Sequence, residues 1–468
     1  MFDFSVKKDK SKKLYIRVFE EIKEAIEDGK LKKDDRLPPI RAAAKKLEVN
    51  TSTIVKAYDL LEREGYLYKI VGSGSYVGEV KTAKVSSEEK EAMEELWDIK
   101  PEDKCKINFA GASPSSDLFP VEDFRKAINT VLDREGGAAF SYEDARGYEP
   151  LREKMVEILH EDNIEAKSEN IQIVSGSQQA IDIAGRMLIK PGDKVIVEEP
   201  TYPGAISSFK RAGAHIIPVP VEKDGMNLKK LRYIMEKEKG VKFIYTIINF
   251  QNPTGVFWSE KKKIKLLELV DKYKVRVIED DCMSEIYYSP KKPKSLKAYD
   301  TKNQVIYIKS FSKILMPGLR FAFMLLPSEL AESAAKIKYM ADISSSGLTQ
   351  RAFHEYLECG NIDVHLKKIR KIFKRRYKYM KKLLGESDRV KIYYPTYGGL
   401  FFWLALPEWM DGEKFSKKAY EKGLLVFSGN RFFQKRSTNS FIRISFANAT
   451  EKEIEEGVRI LSETLEEY

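Results

Sequence analysis

Apolar residues recur every four positions near the start of the chain. Leu14, Val18, Ile22 and Ile26 line one face of a helix predicted over residues 14–28, and Gly29 ends it. Pro38-Pro39 sets an extended entry into a short second helix over 40–47. Glu48-Val49-Asn50 makes a tight turn. Asn50 or Thr51 caps a third helix running to about residue 64, with Ile54, Val55, Tyr58 and Leu61 on its apolar side. Residues 68–71 and 75–80 then read as a hairpin across Gly72-Ser73-Gly74.

Residues 81–104 are rich in Lys, Glu and Ser, with few apolar positions before Leu96-Trp97, which predicts an exposed, partly helical linker. From about Ile107 short β-branched runs alternate with helical stretches. The strands expected are 171–174, 195–197, 243–248, 275–278 and 305–308. That alternation predicts βαβ units and a mostly parallel sheet buried on both faces. Beyond Lys336 the pattern is helix-rich and closes with strands over 399–405 and 441–446, a smaller α+β lobe. The organisation expected is therefore 1–80, a linker over 81–106, and 107–468.

Length and composition narrow the class. At 468 residues the chain exceeds one typical domain. Hydrophobic residues make up 43% and charged residues 33%, as in globular proteins. The longest apolar runs, 321–326 and 400–406, are too short to span a bilayer, and residues 1–13 are charged rather than an export signal. Cys105, Cys282 and Cys359 form neither a metal pattern nor a disulfide framework, and four histidines lie scattered, so a reducing cytoplasm and no metal are expected. Net charge is +11, but residues 1–80 hold 17 Lys+Arg against 14 Asp+Glu, only +3. Charge permits nucleic-acid binding there without demanding it.

The order of elements is more informative. Helix, turn, helix and a two-stranded wing is a DNA-reading layout in which the third helix enters the major groove. It would present Asn50, Thr51, Ser52, Thr53 and Lys56 to phosphates or base edges. Arg41, at the start of the preceding helix, is placed to clamp a phosphate. Gly72, Ser73 and Gly74 let the wing backbone approach the duplex. Any one of these residues alone reads better as part of a solvated face; their joint order is the argument.

In the large domain, polar residues stand where strands end, the edge at which open α/β sheets bind ligands. Ser175-Gly176-Ser177-Gln178 follows a strand and opens a helix, an anion cradle. Tyr202 follows the next strand and can stack on a flat ring. Asn252, in Asn252-Pro253-Thr254-Gly255, can donate to a phenolic oxygen. Glu279-Asp280-Asp281 follows an apolar strand, where a carboxylate needs a partner such as a protonated ring nitrogen. Ser310-Phe311-Ser312-Lys313 offers a lysine able to form a Schiff base, and Ser310, Ser312 and Arg320 can join Ser177 on a phosphate. Each piece has an ordinary explanation as a cap, a turn or a packed side chain. In this order they describe a pyridoxal phosphate site, with Asp280 keeping the pyridine nitrogen protonated and Lys313 holding the aldehyde.

Two family resemblances follow. Gly29, Arg36-Leu37-Pro38, Arg41, Thr53, Ala57-Tyr58, Leu61, Glu64-Gly65 and the Gly-Ser-Gly wing resemble the GntR winged helix-turn-helix, although that family often has an arginine where this chain has Thr51. Residues 107–468 resemble the fold-type I aminotransferases through Asn252-Pro253-Thr254-Gly255 and Ser310-Phe311-Ser312-Lys313, with Tyr142, Gly147, Leu151-Arg152, Gly398-Gly399 and Arg443 as further matches. The resemblance implies that Tyr142 reaches a phosphate across a dimer interface and that Arg443 clamps a ligand carboxylate. It also shows a departure: the family usually has a tyrosine two or three residues after the ring-nitrogen aspartate, where Cys282 and Met283 stand here.

Together the two halves look like the MocR subfamily of bacterial regulators. That resemblance implies a homodimeric, DNA-operator-binding protein that senses an amino acid or amine through aldimine exchange at Lys313. Two other functions fit the same residues: an active aminotransferase, which steady turnover would reveal, and a sensor of pyridoxal phosphate itself.

Overall fold

A computed structural model describes residues 14–27, 30–70, 73–78, 105–386, 389–435 and 439–468. The chain divides into two compact units, 1–99 and 100–468. The expected linker falls almost wholly outside the described residues, as do Gly29 and Gly72.

In the first unit, α1 (Leu14–Glu27), α2 (Ile40–Lys46) and α3 (Thr51–Arg63) precede β1 (Leu67–Ile70) and β2 (Gly74–Val77). Val18, Phe19, Ile22 and Ile26 of α1 pack on Ala43 and Ala44 of α2 and on Ile54, Ala57, Tyr58 and Leu61 of α3. The Tyr58 hydroxyl donates to the Pro38 carbonyl at 3.0 Å, tying α3 to the proline entry. Two expected core positions are exposed. Leu14 sits on the first turn of α1, and Val55 lies about 100° round the helix from Ile54. Ala57 takes the place assigned to Val55. Asn50 occupies the N-cap without a side-chain cap bond; only its carbonyl accepts, from the Thr53 N–H at 2.9 Å. The hairpin pairs Leu67 with Val77 and Ile70 with Gly74, each strand starting one residue earlier than its pattern suggests.

The second unit begins with β3 (Ile107–Asn108), α4 (Val121–Glu135) and α5 (Glu149–Glu161). Its sheet is then built from β4 (Ile171–Val174), α6 (Ser177–Leu188), β5 (Lys194–Glu199), α7 (Pro203–Arg211), β6 (His215–Glu222), β7 (Gly225–Met226), α8 (Leu228–Lys237), β8 (Val241–Thr246), α9 (Glu260–Tyr273), β9 (Arg276–Asp281), β10 (Val305–Ser310) and β11 (Ala322–Leu325). The eight strands lie in the order β4-β11-β10-β9-β8-β5-β6-β7. β5, β6, β8, β9 and β10 are parallel; β11 runs antiparallel between β10 and β4. Side chains alternate between two cores. Val195, Val197 and Tyr245 face α6 and α7, whereas Ile196, Ile244 and Val277 face α8 and α9. Burial on both faces explains why these strands read as unbroken apolar runs.

The chain continues through α10 (Ser328–Asp342), α11 (Gly347–Glu358) and the long α12 (Asn361–Gly385) into a smaller lobe. There β12 (Lys391–Ile392), β13 (Phe401–Ala405), α13 (Gly412–Glu421), β14 (Leu424–Leu425), β15 (Phe427–Ser428), β16 (Phe441–Ser445) and α14 (Glu451–Glu466) form an antiparallel sheet, β12-β13-β16-β15, with helices beside it, while β14 pairs with β3. The expected alternation and its smaller lobe are observed. Two details differ. β9 runs on through Asp281, so its three acids are strand residues rather than a loop after it. β6 and β11 had not been assigned from the pattern.

Candidate functional site

The carboxyl ends of β4, β5, β8, β9 and β10 lie along one edge of the sheet, and the residues singled out from the sequence follow them there. Gly176, at φ 97°, turns the chain from β4 into α6. A Cβ at this position would collide with the Arg320 guanidinium, which donates to the Ser175 carbonyl at 2.9 Å. Glycine thus lets an arginine stand over the amino end of α6, beside Ser177. On the far side, the Tyr202 hydroxyl donates to Gln178 Oε1 at 3.0 Å, and Gln178 Nε2 donates to Ser208 at 2.8 Å. A Cβ at Gly204 would strike both Gln178 and the Tyr202 ring. Burial pushes the Tyr202 phenol up to about 12, so it stays neutral. Ser310 and Ser312 meet through their hydroxyls at 3.3 Å at the end of β10.

Asp280 is the electrostatic centre. It is buried; Oδ2 accepts from the Tyr245 hydroxyl at 2.7 Å, while Oδ1 is buried with no partner. Its carboxyl is raised to about 6: desolvation and, less, the Asp281 charge raise it, against the Tyr245 hydrogen bond and the Lys313 charge. An orphan carboxylate oxygen is costly unless a donor or cation meets it. The Lys313 charge favours the ionised Asp280, and the Asp280 charge in turn disfavours ionisation of the Cys282 thiol. Burial lowers the Lys313 ammonium below the ordinary lysine range, with Arg443 and Arg320 adding to the effect. A neutral lysine amine is the nucleophilic form. Burial pushes the Cys282 thiol far up, so it stays protonated.

Arg443 is buried on β16, not on an exposed strand face. Its guanidinium lies against the rings of Phe401, Phe427 and Phe432 at 4.4, 4.7 and 5.2 Å. It donates to Asn252 Oδ1 at 2.9 Å and to the Ala110 carbonyl, and its Nε has no partner. Desolvation lowers it to about 9. An arginine so stripped of water, with no carboxylate bonded to it, is suited to receive an anion. Because Asn252 Oδ1 accepts from Arg443, its Nδ2 is left as a donor.

Tyr142 is 82% exposed, and among the described residues no hydrogen bond or ring contact joins it to this site. Three features were not singled out from the sequence: the Tyr245 partner of Asp280, the position of Cys282 beside Lys313, and a buried ionic cluster behind them. In that cluster Lys309 meets Asp281 at 3.0 Å and Glu285 at 3.2 Å, and Glu285 also meets Lys292 and Arg370. The strand alternation of Asp280 and Asp281 was the available signal, since it sends the two carboxylates to opposite faces.

The first unit presents a second candidate surface. Arg41, Asn50, Thr51, Ser52 and Lys56 are exposed, Thr53 half-buried. Val55 lies among them and adds an apolar contact group. The wing is fixed from behind. Arg36 donates to the Ser73 carbonyl, the Leu37 N–H donates to Ser75 O at 2.9 Å, and Ser73 Oγ meets the Tyr76 hydroxyl at 2.6 Å.

Comparison with known proteins agrees with this geometry. The family described as aminotransferase class I and II matches residues 105–461, and that of bacterial regulatory proteins, gntR family, matches 14–77. The chain belongs to the class I and II aminotransferase family, and within it to the GntR-fused regulators of the MocR type. Aromatic-amino-acid aminotransferase 1 of Thermococcus litoralis is 36% identical over 77% of this chain and 88% of its own length. An uncharacterized HTH-type transcriptional regulator of Bacillus subtilis, YdfD, is 28% identical over 96% of each chain. A Pyrococcus horikoshii kynurenine aminotransferase, solved with PMP and kynurenine, superposes with a TM-score of 0.76 at 33% identity, covering 82% of this chain and 95% of that one. The family and these neighbours imply pyridoxal phosphate binding, and the GntR unit implies DNA binding. No described helix is long and apolar enough to cross a membrane.

Proposed function

We propose that this regulator carries pyridoxal phosphate on Lys313 and reads an amino acid or amine there. The residues fit the cofactor. Asp280 Oδ1 is a buried acceptor without a donor, the complement of a protonated ring nitrogen, and this observation carries the reading. Ser177, Gln178, Ser310, Ser312 and Arg320 would hold the phosphate, with Tyr142 of a second copy. Tyr202 would stack on the ring and Asn252 Nδ2 would donate to its phenolic oxygen. The cofactor, when bound, supplies an aldehyde that condenses with amines and a ring that withdraws electrons. Lys313, whose ammonium is lowered by burial, would be the amine that holds that aldehyde. Arg443 receives the effector carboxylate. Asp280 would offer its unpartnered Oδ1 to the ring nitrogen.

The proposed division of labour is a DNA-reading module over 1–80, a linker over 81–106 and an effector module over 107–468. Arg41 would take a phosphate. Asn50, Thr51, Ser52, Thr53 and Lys56 would face the major groove, and the wing at Ser73 and Gly74 would meet the backbone; Gly72 lies outside the described residues. The effector alters DNA binding only if it favours one global state of the dimer over another.

The test is a visible spectrum of purified protein before and after borohydride, with the mass of the Lys313 peptide. A yellow protein whose band disappears as Lys313 gains a reduced pyridoxyl group is the expected result. A protein that stays colourless after incubation with pyridoxal phosphate would overturn it. The 36% identity to a named aminotransferase favours a second reading, turnover of its own. Steady keto-acid production from an amino acid and 2-oxoglutarate at ordinary enzyme rates would establish that reading instead.

A further inference from the structure

The +11 charge of the chain is concentrated away from the winged helix. Residues 1–80 carry +3, whereas α12 alone holds ten basic residues and one acid, +9. Its inner face, with Leu366, Ile369, Phe373, Met380 and Leu384, is packed into the core of the second unit. Its outer face is exposed at Lys367, Lys368, Lys371, Lys374, Lys378 and Lys382. Steps of one, three and four place these on a single stripe, which at about 1.5 Å per residue runs for roughly 22 Å.

None of those six lysines makes an ion pair or hydrogen bond within the described residues. Arg375 is paired with Glu451 at 2.5 Å, and Lys381 lies over the Tyr377 ring at 5.7 Å. Other exposed helices of the same unit match their cations with acids one turn away, as Arg459 does with Glu456 and Lys336 with Glu332. On α12 the one acid, Asp363, stands a turn before the stripe, and from Lys367 onward the one-turn neighbours are cations, Lys367 to Lys371 and Lys374 to Lys378. Like charges at that spacing destabilise a helix. The arrangement is explained if the stripe meets a linear polyanion.

We propose that the outer face of α12 binds the phosphate backbone of duplex DNA, extending contact beyond the winged helix. The proposal rests on the reading of the chain as a DNA binder. Duplex DNA presents one phosphate per about 3.4 Å along each strand, so a stripe of roughly 22 Å faces about six or seven. The expected contribution is sequence-independent and steeply salt-dependent.

The test uses the full chain and a fluorescent 40-base-pair duplex of mixed sequence, titrated over a range of salt. Four forms are compared: wild type, the quadruple set Lys367→Gln, Lys371→Gln, Lys374→Gln and Lys378→Gln, the same four positions changed to Arg, and Arg41→Ala. The glutamine set is expected to lower the slope of log K against log salt by about 3 to 4, and the arginine set to keep it. Thermal melting of the glutamine set should match or exceed wild type, since repulsion is removed. Were it to melt early, Lys371→Gln alone should lower the slope by about 1. A wild-type slope in the glutamine set, with binding weakened by Arg41→Ala, would overturn the stripe and leave the winged helix as the DNA site. Loss of binding to phosphatidylserine vesicles with the duplex slope unchanged would assign the stripe to a membrane and also overturn the proposal. No duplex binding by wild type at low salt would overturn both.

Discussion

Asp280→Asn should gain stability relative to the wild-type, cofactor-free protein as pH rises, while weakening the hold on the cofactor. The Asp280 carboxyl rises from an ordinary value near 3.8 to about 6 because burial disfavours its charge. The folded chain therefore keeps this proton longer than the unfolded chain does. Stability contributed by Asp280 is fully present below about pH 4 and is lost as pH rises through about 6. A difference of about two units at 1.36 kcal/mol each is roughly 3 kcal/mol. Asparagine keeps an acceptor for the Tyr245 hydroxyl and carries no charge. Its unsatisfied N–H2 costs about 1–3 kcal/mol, but that cost does not vary with pH. The stability difference between variant and wild type should thus swing by about 2.5 kcal/mol in favour of the variant between pH 4 and pH 7.5. Urea unfolding followed by tryptophan fluorescence measures it, since Trp258 and Trp403 are buried in this unit. A difference that is flat with pH would refute the reasoning that Asp280 is a destabilising, unpaired carboxylate awaiting a cation.

Three further outcomes are expected. Arg41→Ala should weaken duplex binding and lower the magnitude of the salt slope by about 0.9, one phosphate; an unchanged slope would remove Arg41 from the interface. Arg443→Gln should weaken binding of a carboxylate-bearing effector by about 10-fold or more, as for a hydrogen bond to a charged group, while leaving cofactor loading intact; equal binding of amines with and without a carboxylate by wild type would contradict the assignment. A thiol reagent at pH 8 should label exposed Cys359 well before Cys282, whose thiol burial holds protonated; peptide mass mapping reads the order, and early labelling of Cys282 would show an open pocket.

Much of this arrangement was legible because its signals are local. β-branched runs buried on both faces betrayed the parallel strands, and turn residues after them marked the ligand edge. The signals that failed are non-local. Val55 fits an apolar pattern, yet Ala57 is the residue that faces α1, and only the packed helices decide between them. β11 is a four-residue run whose place, antiparallel between β10 and β4, is set by pairing rather than composition. Tyr245 reads as one more strand residue until the neighbouring strand brings Asp280 within 2.7 Å of it. Lys309 looks like a surface lysine, although Asp281 and Glu285 hold it inside the fold. Tyr142 is exposed and has no hydrogen-bond or ring partner among the described residues, so the role that the resemblance implies for it is not one its own fold displays.

On the proposed function, an amine arriving at Lys313 changes the grip on DNA. The direct measurement is duplex affinity of one cofactor-loaded preparation, with and without a panel of amino acids, before and after borohydride reduction. A duplex selected from a random pool by the full chain serves as target. At least one amino acid is expected to shift the affinity of the unreduced protein, and reduction, which seals Lys313 to the cofactor, is expected to abolish the shift. A shift that survives reduction, or no shift with any amine in a protein shown to carry the cofactor on Lys313, would contradict it.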